Sequence, residues 1–237
     1  MEKPYQKIPI QECGEELIPI PDDIFILENP PPYQKLGADY GNKSPYYLRQ
    51  SVVDALVVAQ KKLQELKPQW RLKIFDAYRP IAVQQFMVDY TFKQVCDIKG
   101  LNHHQLTPTE EKKVYDEVYK IWAIPSHDPL TPPPHSTGAA VDLTLLDQHG
   151  QVVDMGGEID ELSGRSHPNY YQDSQDPTAQ QYHHHRQILL EAMSAGNFIR
   201  HPGEWWHFSL GDQMWVWLQN SSLTVAQKAK YGGVFYN

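Results

Sequence analysis

Residues 139–146 read Ala-Ala-Val-Asp-Leu-Thr-Leu-Leu, an apolar run with one ionisable side chain near its centre. A short, apolar and partly β-branched segment bounded by turn residues has the pattern of a buried strand. A carboxylate in such a strand is strongly unfavourable unless a cation meets it. The chain must therefore bring a partner to Asp142, either a divalent metal or a buried Arg or Lys. His135 lies at the end of a proline-fixed loop (132–134), and Gly138 permits the tight turn that returns it toward Asp142. Taken alone, the stretch fits a metal site or a salt-bridged structural aspartate beside a loop histidine.

A second stretch supplies more of the same chemistry. Glu204-Trp205-Trp206-His207 follows Pro202-Gly203 and enters a predicted strand. Residues three apart in a regular strand face opposite sides. Glu204 and His207 can share a site only if Glu204 sits in the turn after Gly203 or at a bulge. Together the two stretches offer two imidazoles and a carboxylate as ligands, with one carboxylate to spare. Catalytic zinc typically takes three protein ligands and keeps a position for water, and the spare acid suits a general base. A third stretch, Phe75-Asp76-Ala77-Tyr78-Arg79-Pro80, places Arg79 between a predicted strand and a proline-started helix. There the guanidinium can serve a developing oxyanion or simply pair with Asp76.

The other histidine clusters read differently. His183-His184-His185 lies in a polar helical stretch, where consecutive side chains cannot converge on one ion, and His103-His104 lies in a polar loop. Both are expected to be solvated. Trp205, Trp206, Trp215 and Trp217 are expected as core or cleft walls.

The chain has 237 residues, with 21 basic and 29 acidic side chains and a formal charge of −8. No basic stripe offsets that balance, which argues against nucleic acid as a partner. Cys13 and Cys96 are far apart and in no CxxC pattern, so free buried thiols are expected. The N-terminal stretch has no apolar secretion core and no segment is long enough to span a bilayer, which leads to the expectation of a cytoplasmic protein with no membrane partner. Oligomeric state is not legible.

Neither an internal repeat nor a flexible linker interrupts the sequence, so a single domain over 1–237 is expected, with a Pro-rich irregular segment over about 1–45. Helices are predicted over 46–66, from Pro80 through Tyr90, over 109–122 with Thr107 or Thr109 as cap, and over 179–195. Strands are predicted at 25–27, 70–75, 139–146, 198–200, 205–210 and 214–218. Helices and antiparallel strands without strict alternation indicate an α+β fold.

The three stretches, Asp76-Ala77-Tyr78-Arg79-Pro80, His135…Gly138…Asp142-Leu143-Thr144 and Glu204-Trp205-Trp206-His207, occur in the order found in the D-alanyl-D-alanine dipeptidases, the zinc dipeptidases of vancomycin resistance. The resemblance covers about 52–210. It implies a hedgehog/DD-peptidase-like α+β fold with a mainly antiparallel sheet flanked by helices. It also implies one zinc ion per chain on His135, Asp142 and His207, with Glu204 as base and Arg79 as transition-state stabiliser. Met155-Gly156-Gly157-Glu158-Ile159-Asp160 is similar to a family segment that makes Asp160 the anchor for the ammonium of a small dipeptide. Arg165-Ser166-His167 also matches, with a structural role for His167. The family often has a serine two positions before the first metal histidine; here it is Pro133, so the substrate carboxylate must be met elsewhere. Tyr33, in a poorly matching region, is a weaker candidate for substrate contact.

The expected activity is zinc-dependent hydrolysis of D-alanyl-D-alanine or a close D,D-dipeptide. The alternatives are a D,D- or L,D-carboxypeptidase acting on peptidoglycan stem peptides, and a non-catalytic zinc-stabilised binding protein of the same fold.

Overall fold

In a computed structural model that describes residues 3–219 and 227–234, the apolar run after Gly138 is an interior strand, buried at all seven positions. The elements in chain order are β1 (Leu17–Pro19), β2 (Ile26–Leu27), the one-turn helix α1 (Pro32–Lys35), β3 (Tyr47–Arg49), α2 (Gln50–Leu66), β4 (Arg71–Asp76), α3 (Ile81–Ile98) and α4 (Pro108–Ile121). Then follow β5 (Ala140–Leu146), α5 (Pro177–Ala195), β6 (Ile199–Arg200), β7 (His207–Ser209) and α6 (Gln213–Gln219).

Five strands form one sheet in the order β2-β4-β5-β7-β6, and β1 pairs with β3 in a separate ribbon. Only the β2–β4 pairing of the larger sheet is parallel. Its register puts functional side chains opposite one another: Asp142 faces Asp76 on one side and His207 on the other. The register shifts between Ile74 and Asp76, and this irregularity sets Asp76 beside Asp142.

Helical spacing of Val52, Leu56, Ala59 and Leu63 gives α2 a buried face. It joins Leu189, Ala192 and Met193 of α5 and Leu72, Ile74, Leu143 and Leu145 of the sheet in one apolar cluster. Gly196 ends α5 where a Cβ would lie 2.4 Å from the Ala55 carbonyl oxygen, so the helices can approach there only without a side chain. A second cluster, built on Val83, Met87 and Val95 of α3 and Val114 and Val118 of α4, holds Tyr33 and Trp122. Thr107 caps α4 by accepting from the Glu110 amide, while Glu110 reaches back to the Thr107 amide.

The α+β class is as expected, and most elements fall within a few residues of their expected places. Three expectations need correction. Residues 214–218 form a helix, α6, because Asp212 Oδ1 accepts from the Trp215 amide at 2.8 Å and starts a turn. The expected helix over 46–66 begins only at Gln50, since Tyr47–Arg49 pairs with β1. Both cysteines are free, but Cys13 is exposed and only Cys96 is buried. Among the described residues no helix is long and apolar enough to cross a membrane.

Candidate active site

His135 comes from a short 3-10 turn (Pro134–Thr137) that ends at Gly138 with φ +70°. A Cβ there would also sit 2.1 Å from Leu17 Cδ2, so the turn needs glycine for both reasons. The turn carries His135 back over the start of β5, as its spacing from Asp142 implied. His135 Nε2 lies 3.1 Å from Asp142 Oδ2 and 3.1 Å from His207 Nδ1, and His207 Nδ1 lies 3.0 Å from Asp142 Oδ1. The two histidines meet different oxygens of Asp142, and one ligand atom from each of the three buried side chains lies within 4.8 Å of the others, close enough for the three to share one ion.

The ring nitrogens that face away from that group are also engaged. His135 Nδ1 donates to the Ala77 carbonyl at 2.7 Å, which leaves Nε2 with a bare lone pair. His207 Nε2 faces Ser209 Oγ at 3.4 Å, and that hydroxyl donates to Asp212 Oδ2 at 3.0 Å. Such outer bonds fix the tautomer a metal requires. Burial opposes charge on Asp142, but His135 and His207 outweigh it and hold the carboxyl well below its ordinary range. The donor set therefore fits a divalent cation.

Glu204 lies outside β7, in the stretch after the Pro202-Gly203 turn, so the irregularity required for it to face the site is present. Its Oε2 is 4.0 Å from His207 Nδ1, and its Oε1 is 3.5 Å from His201 Nδ1. Burial first, then the charges of Asp142 and Asp160, push its carboxyl well above the usual range. Burial and the neighbouring His207 push His201 down to about 3, so that imidazole is neutral at pH 7.

Arg79 pairs with Asp76, one of the two readings the sequence left open, and also lines the cavity. Its Nε and Nη2 hold Asp76 Oδ2 at 3.0 and 2.8 Å, and Nη2 also reaches Tyr33 Oη at 3.0 Å and Asp142 Oδ2 at 3.4 Å. Nη1 donates to Gln84 Oε1 at 2.9 Å, and the guanidinium lies over the rings of Tyr33 and Trp122. Of its five N–H donors, one on Nη1 has no partner among the described residues. Arg79 is thus both the partner of Asp76 and a wall of the cavity.

Asp160 reaches the same cavity from the loop after β5, with its backbone at φ +63°. Tyr33 Oη donates to Asp160 Oδ2 at 2.9 Å. Burial, and then the charge on Asp142, raise the Asp160 carboxyl to about 7. The cavity of about 220 Å³ is lined by His135, Asp142, His207, Glu204, Arg79 and Asp160, together with Lys3, Tyr5, His201 and Trp217. It falls below the ~300–1,000 Å³ of drug-sized sites, as suits a small ligand.

The peptidase family described as D-ala-D-ala dipeptidase matches residues 28–228. A D-alanyl-D-alanine dipeptidase of a Synechocystis strain is 53% identical over 98% of this chain and 96% of its own. The chain belongs to the D-Ala-D-Ala dipeptidase family, a metallopeptidase family. Two further dipeptidases of that name are similar over shorter spans. The one from Escherichia coli is 46% identical over 32% of this chain and 37% of its own, and the one from Enterococcus faecalis is 27% identical over 67% and 71%.

Several residues of this dipeptidase site carried little or no signal in the sequence. Tyr33, only a weaker candidate there, links Arg79 to Asp160. His201 meets Glu204 from the other side. Lys3 and Tyr5 enter from a segment remote in sequence, and Gln84 looks like any polar position of α3. The other histidine clusters stay away from the cavity, but only His104 and His184 are exposed as expected; His103, His183 and His185 are half-buried, and His185 Nδ1 meets the Asp154 carbonyl at 2.7 Å, while Trp205 and Trp206 are core and Trp217 is a cavity wall. His167 lies outside the cavity lining, and its carbonyl accepts from Arg186.

Proposed function

We propose that this protein hydrolyses D-alanyl-D-alanine, or a close D,D-dipeptide, to free D-amino acids, using one zinc ion per chain held by His135, Asp142 and His207. The observation that carries the reading is the grouping of those three ligand atoms beside a buried spare carboxylate, Glu204, in a small cavity. Zinc bound there supplies Lewis acidity toward the scissile carbonyl and brings the pKa of water down to ~7.

The protein's own groups do the rest. Glu204 takes a proton from the attacking water and hands it to the leaving amine. Its carboxyl is raised by burial and by two neighbouring acids, and a divalent cation held by His135, Asp142 and His207 would favour its ionised, basic form. Arg79 is fixed by Asp76, Gln84 and Tyr33, which leaves its spare Nη1 hydrogen for the oxyanion that forms as the carbonyl is attacked. Asp160 meets the substrate's free ammonium. A carboxyl poised near 7 is driven to its ionised form by an arriving cation, and an N-acylated peptide offers none.

The test is release of free D-alanine from the dipeptide by zinc-loaded protein, against an acylated tripeptide and against Glu204→Gln. Turnover of the dipeptide alone, with Glu204→Gln losing at least ~10³-fold while keeping stoichiometric zinc, supports the reading. His135→Ala or His207→Ala should lose the metal, measured by mass spectrometry. No D-alanine from the wild type, or a normally active Glu204→Gln, would sink it.

A further inference from the structure

The proposed substrate is charged at both ends, and Asp160 answers only one of them. The wall next to the first histidine has nothing for a carboxylate. Pro134 lines the cavity and has no N–H. Ser136 Oγ is spent on the Arg79 carbonyl at 2.8 Å and Thr137 Oγ1 on the Pro134 carbonyl at 2.6 Å. Most of Arg79 is taken by acids and a glutamine, as described above.

The N-terminal arm brings what is missing. Lys3 and Tyr5 both line the cavity, beside Glu204, Asp160 and the two histidines. Lys3 is half-buried and forms no ion pair among the described residues. One hydrogen of its ammonium goes to the Tyr119 carbonyl at 2.5 Å, which leaves two of three donors. Tyr5 is 4% exposed, and its hydroxyl has no partner among the described residues. Burial raises the Tyr5 phenol well above its ordinary range, so it remains a donor. Lys120 also lines the cavity, but Lys3 is the lysine whose charge acts on Glu204 and His201.

The arm is not a loose tail. Gln213 Nε2 donates to the Ile8 carbonyl at 2.6 Å and the Leu130 carbonyl at 3.0 Å. Ile10 bridges to Ala229 in parallel pairing, with the Gln11 amide on the Ala229 carbonyl at 2.8 Å and the Ala229 amide on the Pro9 carbonyl at 2.9 Å. Arg49 grips Glu12 at 3.1 Å. A segment tied at residues 8–12 holds the short turn Pro4–Lys7 against α6 and sets Lys3 at the cavity.

We propose that Lys3, with the Tyr5 hydroxyl beside it, receives the C-terminal carboxylate of the dipeptide and so makes the N-terminal arm a specificity element of the site. The inference rests on the dipeptidase reading. With Asp160 at the amine and Lys3 at the carboxylate, the cavity selects a substrate whose two charged ends are one peptide unit apart.

The test compares the zinc-loaded wild type with Lys3→Met on D-alanyl-D-alanine and on its C-terminal amide. The wild type should prefer the acid. Lys3→Met should lose about 10- to 100-fold in kcat/KM on the acid, mostly through KM, and under about threefold on the amide, as loss of a charge-assisted contact requires. Lys3→Arg should restore most of the preference, and zinc content and melting temperature should not change. A wild type indifferent to amidation, an unaltered Lys3→Met, or an equal loss on both substrates overturns the proposal while leaving the dipeptidase reading intact. A wild type inert on the dipeptide removes both.

Discussion

Arg79 and Arg186 are buried to nearly the same depth, at 3% and 0% exposure, yet they are held in opposite ways. Arg79 stands among carboxylates. Burial acts against its charge, but Tyr33, Asp76 and Asp142 prevail and raise its pKa. Arg186 forms no ion pair among the described residues. Its Nε, Nη1 and Nη2 donate to the carbonyls of Met155, His167 and Arg165 at 2.8, 2.9 and 2.8 Å, between the rings of Tyr171 and Trp205. Burial lowers its pKa to about 10, so it is still charged at neutral pH. The first arrangement aims a charge at a cavity. The second uses a charge as a bracket, joining both ends of the 155–167 loop to α5, and Asp160 hangs from the middle of that loop. Only the first can change what happens to a bound substrate directly; the second acts by keeping Asp160 in place.

The sharpest way to break this distinction is Arg79→Ala. It should reduce turnover by about 10²- to 10³-fold and destabilise the fold by about 3–5 kcal/mol, because Asp76 is left buried without its cation. Steady-state kinetics and urea unfolding of the zinc-loaded variant measure both losses. Arg186→Met should cost about 2–4 kcal/mol through three orphaned carbonyls. What remains folded should show a raised KM with kcat changed less, since Asp160 loses its support and Glu204 does not. A fall in kcat as deep as that of Arg79→Ala would erase the contrast.

Glu15 is the surface counterpart, an ion pair that serves only the fold. Its carboxylate takes Lys230 Nζ and Ser51 Oγ at 2.6 Å each and the Ser51 amide at 3.0 Å. Burial works upward on its pKa, but these partners bring it down to about 2 from 4.5. A carboxyl depressed on folding contributes stability above its unfolded pKa and loses it as pH falls through the folded one. Glu15→Gln should therefore cost about 2 kcal/mol at pH 7, with the deficit shrinking between pH 4.5 and 2 in unfolding measurements, and kcat should be unchanged.

Legibility followed the same division. Asp142 and His207 could be found because a carboxylate in an apolar strand, or an acid and an imidazole after a Pro-Gly turn, violates the local pattern. Arg79 stood out at a stiff strand-to-helix junction, although the sequence could not say that an arginine paired with Asp76 would also line the cavity. His201 and Lys3 sit in irregular segments where any residue type is unremarkable, and Tyr33, on α1, stood out only weakly; long-range packing brings the first two to the cavity and Tyr33 to Arg79 and Asp160. Asp160 was visible through family resemblance alone. The misread α6 is a short aromatic run, for which strand and helix periodicity do not differ, and its deciding feature was Asp212 just upstream.

The pairing of β5 with β7 sets Asp142 directly across from His207. Side chains alternate along a strand, so sliding β7 by a single residue would turn that imidazole to the far side of the sheet and scatter the donors. An ion seated between the two strands would thus act as a rivet on their alignment. Amide protons of β5 and β7 should exchange more slowly once zinc is added, and removal of the ion should loosen this seam before the helices around it.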